Sequence, residues 1–169
     1  MKRRRKKKGI MLFIPGKSKK VLLAGLGNVG KRRALKLYEG DFNLVIYEPN
    51  KTLVDNFLSE VKASEGIQIE EKNLDTSSLH EEINKGIDMA VFCTPYSEEI
   101  DKWVSLCENH KLPYNRADKH GSSDFFFVSQ IDKEDYSLAI STYGQNPSLS
   151  KKIREEMECY LEDKNRDKG

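Results

Sequence analysis

The chain has 169 residues, 37% of them hydrophobic and 33% charged, with a formal net charge of +2. That fits one ordinary domain with a core, with room for a small appendage, and excludes a second large domain. No apolar run approaches the ~20 residues that a membrane span needs, and Cys93, Cys107 and Cys159 show neither CxxC nor Cys/His ligand spacing, so the expectation is a protein of the reducing cytoplasm.

At the N-terminus, Lys2, Arg3, Arg4, Arg5, Lys6, Lys7 and Lys8 contribute seven positive charges, which leaves the remainder acidic by about 5. Such a run can hold phosphates through ionic contacts. No aromatic or amphipathic residue interleaves it, so residues 1–11 read as a solvated tail, or as sequence ahead of a start at Met11, rather than as a nucleic-acid site.

Lys20 to Ala24 is the first apolar strand, and it breaks into Gly25-x-Gly27-x-x-Gly30. This is the dinucleotide-binding fingerprint: one glycine for the tight turn, one for close approach of a pyrophosphate, one for packing helix on strand. The spacing predicts a helix over Asn28–Glu39, with Ala34, Leu35, Leu37 and Tyr38 on its apolar face, so the free N–H groups of Asn28, Val29 and Gly30 point at the phosphates. Asn43 to Tyr47 is the second strand. Glu48 ends it about 20 residues after the glycines, where ribose hydroxyls are read, and its carboxylate favours NAD over NADP. Lys31, Arg32 and Arg33 tolerate extra phosphate charge or form a solvated helix face.

Further on, Lys51–Lys62 has helical periodicity, Ile67–Ile69 is a short strand, Leu79–Asn84 a helix, Met89–Cys93 a buried strand and Glu98–Asn109 another helix. Alternation of strand and helix implies βαβ units and a parallel sheet. Thr94 and Pro95 leave the fourth strand at the wall where a nicotinamide ribose lies, or in a plain strand-to-helix turn. Past Pro113 the rhythm changes. Phe125–Val128 and Leu138–Ser141 are β-rich runs joined by the charged turn Asp132-Lys133-Glu134-Asp135, which suggests antiparallel strands added to the parallel core. After Gly144, Asn146 and Pro147, a helix over Ser148–Leu161 carries Leu149, Ile153, Met157 and Tyr160 in one stripe. His80, His110 and His120 lack i, i+4 pairing or a cysteine partner, so no resident metal site is expected.

The most discriminating residues are late. Asn115-Arg116-Ala117-Asp118, Asp124-Phe125-Phe126-Phe127 and Ala139-Ile140-Ser141-Thr142-Tyr143-Gly144-Gln145-Asn146-Pro147 occur in order, followed by Ser148-Leu149-Ser150-Lys151-Lys152-Ile153-Arg154-Glu155-Glu156-Met157-Glu158. Together they resemble the precorrin-2 dehydrogenase family, the NAD-dependent part of sirohaem synthases, over roughly Leu12 to Leu161. The resemblance implies oxidation of precorrin-2 to sirohydrochlorin with NAD as hydride acceptor, by a homodimer whose late β segment lies at the subunit interface; in some relatives the same cleft also inserts a metal. It places the catalytic acid, which ends the family's N-V-V-D strand, on Asp118, with His120 close by to assist proton transfer. The small-hydroxyl loop falls on Ser141, Thr142 and Gly144, where substrate carboxylates are received.

Departures from the family pattern are Thr94-Pro95-Tyr96 for the usual T-D/N-D, Val128 for a proline and Tyr143 for a glycine. The further small helical domain common in the family does not follow. The expected organisation is an α/β, Rossmann-type doubly wound parallel sheet followed by a small antiparallel β segment and a C-terminal helix. The NAD-binding domain covers 12–112, a dimerisation and substrate segment 113–146, and the last helix with a frayed tail 147–169. Two readings of individual residues stay open: Asp118 as base or as cap of the turn Asp118-Lys119-His120-Gly121, and Ser141 and Thr142 as substrate contacts or helix cap. An alternative function is a nucleotide-sensing module of the potassium-channel regulatory type, or a family member that binds tetrapyrrole without turnover.

Overall fold

The computed structural model describes residues 9–119, 121–143 and 145–166, the last three of these by backbone alone. The basic run Lys2–Lys8, His120 and Gly144 lie outside the described residues. These residues divide into two compact units, one of Ile14–Phe125 and a smaller one of 126–166 with 9–13.

In the larger unit, β1 (Lys20–Ala24), α1 (Asn28–Glu39), β2 (Asn43–Tyr47), α2 (Lys51–Leu58), β3 (Ile67–Glu70), α3 (Thr76–Asn84), β4 (Met89–Phe92), α4 (Glu98–Asn109) and β5 (Tyr114–Arg116) follow one another. All strands are parallel, in the order β3-β2-β1-β4-β5. The order reverses between β1 and β4, and a doubly wound sheet binds its ligands outside the strand ends at that point. Leu22, Ala24, Val45, Tyr47, Ala90 and Phe92 pack with Leu79 of α3 and Ile100 and Trp103 of α4 into one apolar cluster. The alternate residues Val21, Leu23, Leu44 and Ile46 are equally buried, because successive side chains of a strand leave opposite faces and helices cover both.

Several boundaries differ from expectation. The second helix stops at Leu58, not Lys62, because the Tyr38 hydroxyl accepts the N–H groups of Lys62 and Ala63, each at 3.1 Å, which competes with helical bonding there. The third helix starts at Thr76, three residues before Leu79: Asp75 caps it by accepting from Ser78 N–H at 2.7 Å, so the polar run ahead of Leu79 is its first turn. Tyr114–Arg116 is a strand that apolar periodicity missed, and it carries the parallel unit past Pro113. Phe125–Val128 is not a strand. Its first carbonyl, that of Phe125, accepts from the Asn115 side chain at 2.6 Å rather than entering a ladder.

In the smaller unit, β6 (Ser129–Asp132) and β7 (Ser137–Ile140) pair antiparallel as a two-stranded sheet of their own, rather than as additions to the parallel core. α5 (Pro147–Arg166) begins one residue earlier than expected and runs past Leu161. Asn146 accepts from Leu149 N–H at 3.0 Å, and Pro147, which has no N–H to lose, takes the first helical position. Arg154 pairs with Glu158 at 2.7 Å one turn on, which extends the helix on its polar side. Tyr143, where the family pattern has glycine, adopts φ 56°. A side chain in that region costs roughly 1–2 kcal/mol, and Tyr143 is 46% exposed, so it regains little by burial. Tyr143→Gly is therefore expected to raise stability by about 0.5–1 kcal/mol in a denaturant titration; a lower midpoint would assign the tyrosine a packing role.

Candidate functional site

The register brings the candidate residues to one level. Ala24 pairs with both Tyr47 and Phe92, and Phe92 pairs with Arg116, so Gly25, Glu48, Cys93 and Ala117 each follow at the same height on neighbouring strands. Asp118 and Thr94 come one residue later. Hydrogen bonds continue past the strand ends: Gly25 N–H to Tyr47 O at 2.9 Å, Cys93 N–H to Ala24 O at 2.8 Å and Ala117 N–H to Phe92 O at 2.8 Å.

The glycines divide the work by geometry. Gly25 turns at φ 91°, and a Cβ on Gly30 would lie 1.8 Å from the Gly25 carbonyl oxygen, so α1 can start there only without a side chain. At Gly27 an added Cβ would meet nothing within 4 Å, which means that this glycine faces open space rather than protein. Gly27 caps α1 without a side-chain bond, and Asn28, Val29 and Gly30 provide first-turn N–H groups that have no intrahelical acceptor. That is a phosphate cradle.

Glu48 is 6% exposed and holds the cradle from below. One of its oxygens accepts the Leu26 N–H at 2.6 Å and the other the Asn50 N–H at 2.9 Å. Each keeps further acceptor capacity, so contact with ribose hydroxyls is compatible with this bracing. Bracing of the glycine loop is a role that spacing alone did not reveal. A cleft of about 480 Å³ opens beside these groups, bounded by Gly25, Gly27, Glu48, Thr94, Pro95 and Trp103 among others. Two buried polar atoms on its lining residues, Thr94 Oγ1 and Trp103 Nε1, have no partner among the described residues. Open space over Gly27, free helix N–H groups, an acid for the ribose and orphaned donors in the wall together fit a dinucleotide. A larger groove of about 700 Å³, lined by Lys17, Tyr38 and Glu65 among others, lies at the opposite ends of the strands, away from the cradle.

Of the basic residues after Gly30, Lys31 pairs with Glu60 and Arg33 donates to Cys93 Sγ at 3.4 Å, while Arg32 is exposed. Burial pushes the Cys93 thiol up, so it is no thiolate nucleophile. Asp118 leaves β5 with its side chain only 10% exposed. Arg116 grips it bidentately, Nε to Oδ1 at 2.9 Å and Nη2 to Oδ2 at 2.7 Å. This guanidinium holds the Asp118 carboxyl below the usual carboxylate range. Arg116 went unnoticed as a candidate, although a charged residue within a short buried strand was a readable signal. In the smaller unit, Ser141 Oγ accepts from Tyr143 N–H at 3.0 Å, and Thr142 Oγ1 accepts from Asn146 N–H at 3.2 Å and lies 2.9 Å from Ser150 Oγ. Both hydroxyls therefore build the loop ahead of α5.

Fold and cleft define a dinucleotide-binding α/β protein. Residues 12–129 match the family model described as "Putative NAD(P)-binding", and the chain belongs to that family, which supports a nicotinamide dinucleotide as its cofactor. Among curated proteins it is 28% identical over 143 residues to "Siroheme biosynthesis protein met8" of Schizosaccharomyces pombe, covering 85% of this chain and 52% of that protein. It is 30% identical over 160 residues to a "Putative precorrin-2 dehydrogenase" of Methanocaldococcus jannaschii, covering 90% and 72%. The chain thus spans about half the length of the yeast relative. A solved structure titled "SirC, precorrin-2 dehydrogenase" shares the fold with a TM-score of 0.69 at 19% identity, over 90% of this chain and 71% of that one.

Two substitutions separate the roles of the glycines. Gly27→Val is expected to leave the melting temperature near that of wild type, since nothing in the protein meets its side chain, and to abolish nucleotide binding in calorimetry. Gly30→Ala is expected to lower stability by about 1–3 kcal/mol or more, because a carbonyl occupies the space its methyl needs. Equal effects of the two on folding would contradict the cradle.

Proposed function

We propose that this chain is an NAD-dependent dehydrogenase that converts precorrin-2 to sirohydrochlorin. The observation that carries the reading is Asp118, a carboxylate two residues past β5, at the strand ends that hold the cradle. The names of the fungal and archaeal relatives support the substrate. When bound, the nicotinamide accepts the hydride that leaves the reduced macrocycle. The protein's own part is to hold the ribose at Glu48, line the cleft with Thr94 and Pro95, and take up the accompanying proton at an Asp118 oxygen. Ser141, Thr142 and Gly144, with His120, receive substrate carboxylates through hydroxyl and N–H groups. Glu48 selects NAD, since its charge repels a 2′-phosphate.

The working form is a homodimer. Among the described residues of the smaller unit, Ile131 and Ser150 are buried, whereas Tyr136, Tyr143, Leu149, Tyr160 and the segment Ile10 to Phe13 are exposed. A hairpin and one helix are too small to be stable by themselves. No helix among the described residues is long and apolar enough to cross a membrane, and the free state of Cys93, Cys107 and Cys159 supports a cytoplasmic setting. One observation favours a second reading, a tetrapyrrole-binding member without turnover: Arg116 occupies both oxygens of the acid.

Anaerobic incubation of the protein with precorrin-2 and NAD should release NADH; nucleotide binding without NADH would select the second reading. Asp118→Asn should cut turnover per folded molecule by about 10²–10⁴ with little change in NAD affinity. It should also lower the melting temperature, since Arg116 loses a charged partner. Retained turnover would remove Asp118 from the mechanism. Glu48→Ala should weaken NAD by about 1–3 kcal/mol and narrow its advantage over NADP; equal weakening of both cofactors would show that Glu48 only braces the loop.

A further inference from the structure

Arg116 is 3% exposed, and every nitrogen of its guanidinium is engaged. Nε and Nη2 hold the two oxygens of Asp118, and Nη1 donates to Asp101 Oδ1 at 2.8 Å in the first turn of α4. The other oxygen of Asp101 accepts from the Tyr96 hydroxyl at 3.0 Å, in the segment that leaves β4 next to Pro95. One side chain thus joins the acid after β5 to the loop that walls the cofactor cleft. Tyr96 stands where the sequence departs from the family pattern.

We propose that Arg116 is a positioning residue for Asp118, fixing the orientation and charge of its carboxylate and tying it through Asp101 and Tyr96 to the wall of the cofactor cleft. A planar guanidinium has the fork that a two-point grip on a carboxylate requires, which an ammonium lacks. Burial makes the grip on Asp118 stiff, because that carboxylate is itself largely out of water and cannot leave the guanidinium without becoming a buried unpaired charge, whereas Asp101 is about half exposed. Of the charged groups acting on Asp118, Arg116 holds it ionised and Asp101, of like sign, opposes this; Lys119 acts in turn on Asp101. As a base, Asp118 is then present in its accepting form throughout the neutral range, with its direction set before substrate arrives. The catalytic part of this inference rests on the dehydrogenase reading; the grip itself does not.

The test is a ¹³C NMR titration of the Asp118 carboxyl in the full chain, run beside the precorrin-2 assay. In wild type the carboxyl should titrate below the ordinary range. In Arg116→Met it should move up by about 1–3 pH units, and in Arg116→Lys by less, since the charge remains and the fork is lost. Turnover should fall about 10–100-fold in Arg116→Lys with the KM for NAD little changed, as expected when a reacting group is misdirected and the cofactor site is intact. Where Arg116→Met does not fold, Arg116→Lys carries the test. An Asp118 carboxyl that titrates alike in wild type and a natively folded Arg116 variant overturns the proposal, whatever the assay gives. A shifted titration with no NADH from wild type upholds the grip and defeats the dehydrogenase reading instead.

Discussion

The close approach of Gly30 to the carbonyl of Gly25, where a Cβ would stand 1.8 Å from the oxygen, is the constraint on which the cofactor end of the molecule depends. It forces α1 to leave β1 at one angle. That angle aims the free N–H groups at the cleft and leaves Gly27 bare beside them. Glu48 then locks the loop from the neighbouring strand by taking Leu26 N–H on one oxygen and Asn50 N–H on the other. The turn is held at two points, one steric and one polar, so little reorganisation remains for a phosphate to impose. Preorganisation of this kind is what lets a small set of backbone donors bind a charged group tightly.

Arg116 is the counterpart at the other end of the level line. A buried arginine with two carboxylates carries one net negative charge, and the desolvation of Arg116 and Asp118 offsets most of their attraction, while Asp101 keeps about half of its side chain in water. The cluster is therefore better understood as specifying geometry than as a source of stability. It also creates a tension with proton transfer. The same grip that orients Asp118 lowers its basicity, so a proton reaches it readily only where the departing proton is itself acidic, as beside a cation that forms when hydride leaves.

Elements with strong apolar periodicity and a clear stop were legible in the sequence. β1, β2, α1 and α4 match their expected limits, because buried parallel strands and amphipathic helices leave a one-dimensional pattern. What failed depended on partners distant in sequence. The end of α2 was hidden because Tyr38, over 20 residues away, takes the backbone donors there. β5 was hidden because its Asn115 and Arg116 are buried by polar partners instead of apolar ones. The late hairpin was displaced because Phe125 to Val128 look like strand, yet the Phe125 carbonyl accepts from the Asn115 side chain and the pairing begins only at Ser129. The glycine fingerprint pointed to the candidate cradle, whereas the bracing by Glu48 and the grip on Asp118 rest on contacts between residues far apart in sequence or on a buried charge.

The smaller unit sets a different kind of limit. Its candidate hydroxyls, Ser141 and Thr142, both shape the loop before α5: Thr142 Oγ1 donates to Asn146 O and accepts from Asn146 N–H, while Ser141 Oγ accepts from Tyr143 N–H and keeps its own proton to donate. That shape rests on a hairpin and a helix whose apolar residues are mostly half-buried, with Leu149 and Tyr160 exposed, and two strands with one helix fall short of a self-sufficient core. The cradle, by contrast, is complete within one unit of one chain. Cofactor binding therefore belongs to the single chain, whereas a substrate site built on the smaller unit can be firm only when its exposed apolar face is covered. In the proposed dimer the second copy provides that cover, which makes substrate recognition dependent on assembly and leaves nucleotide recognition independent of it.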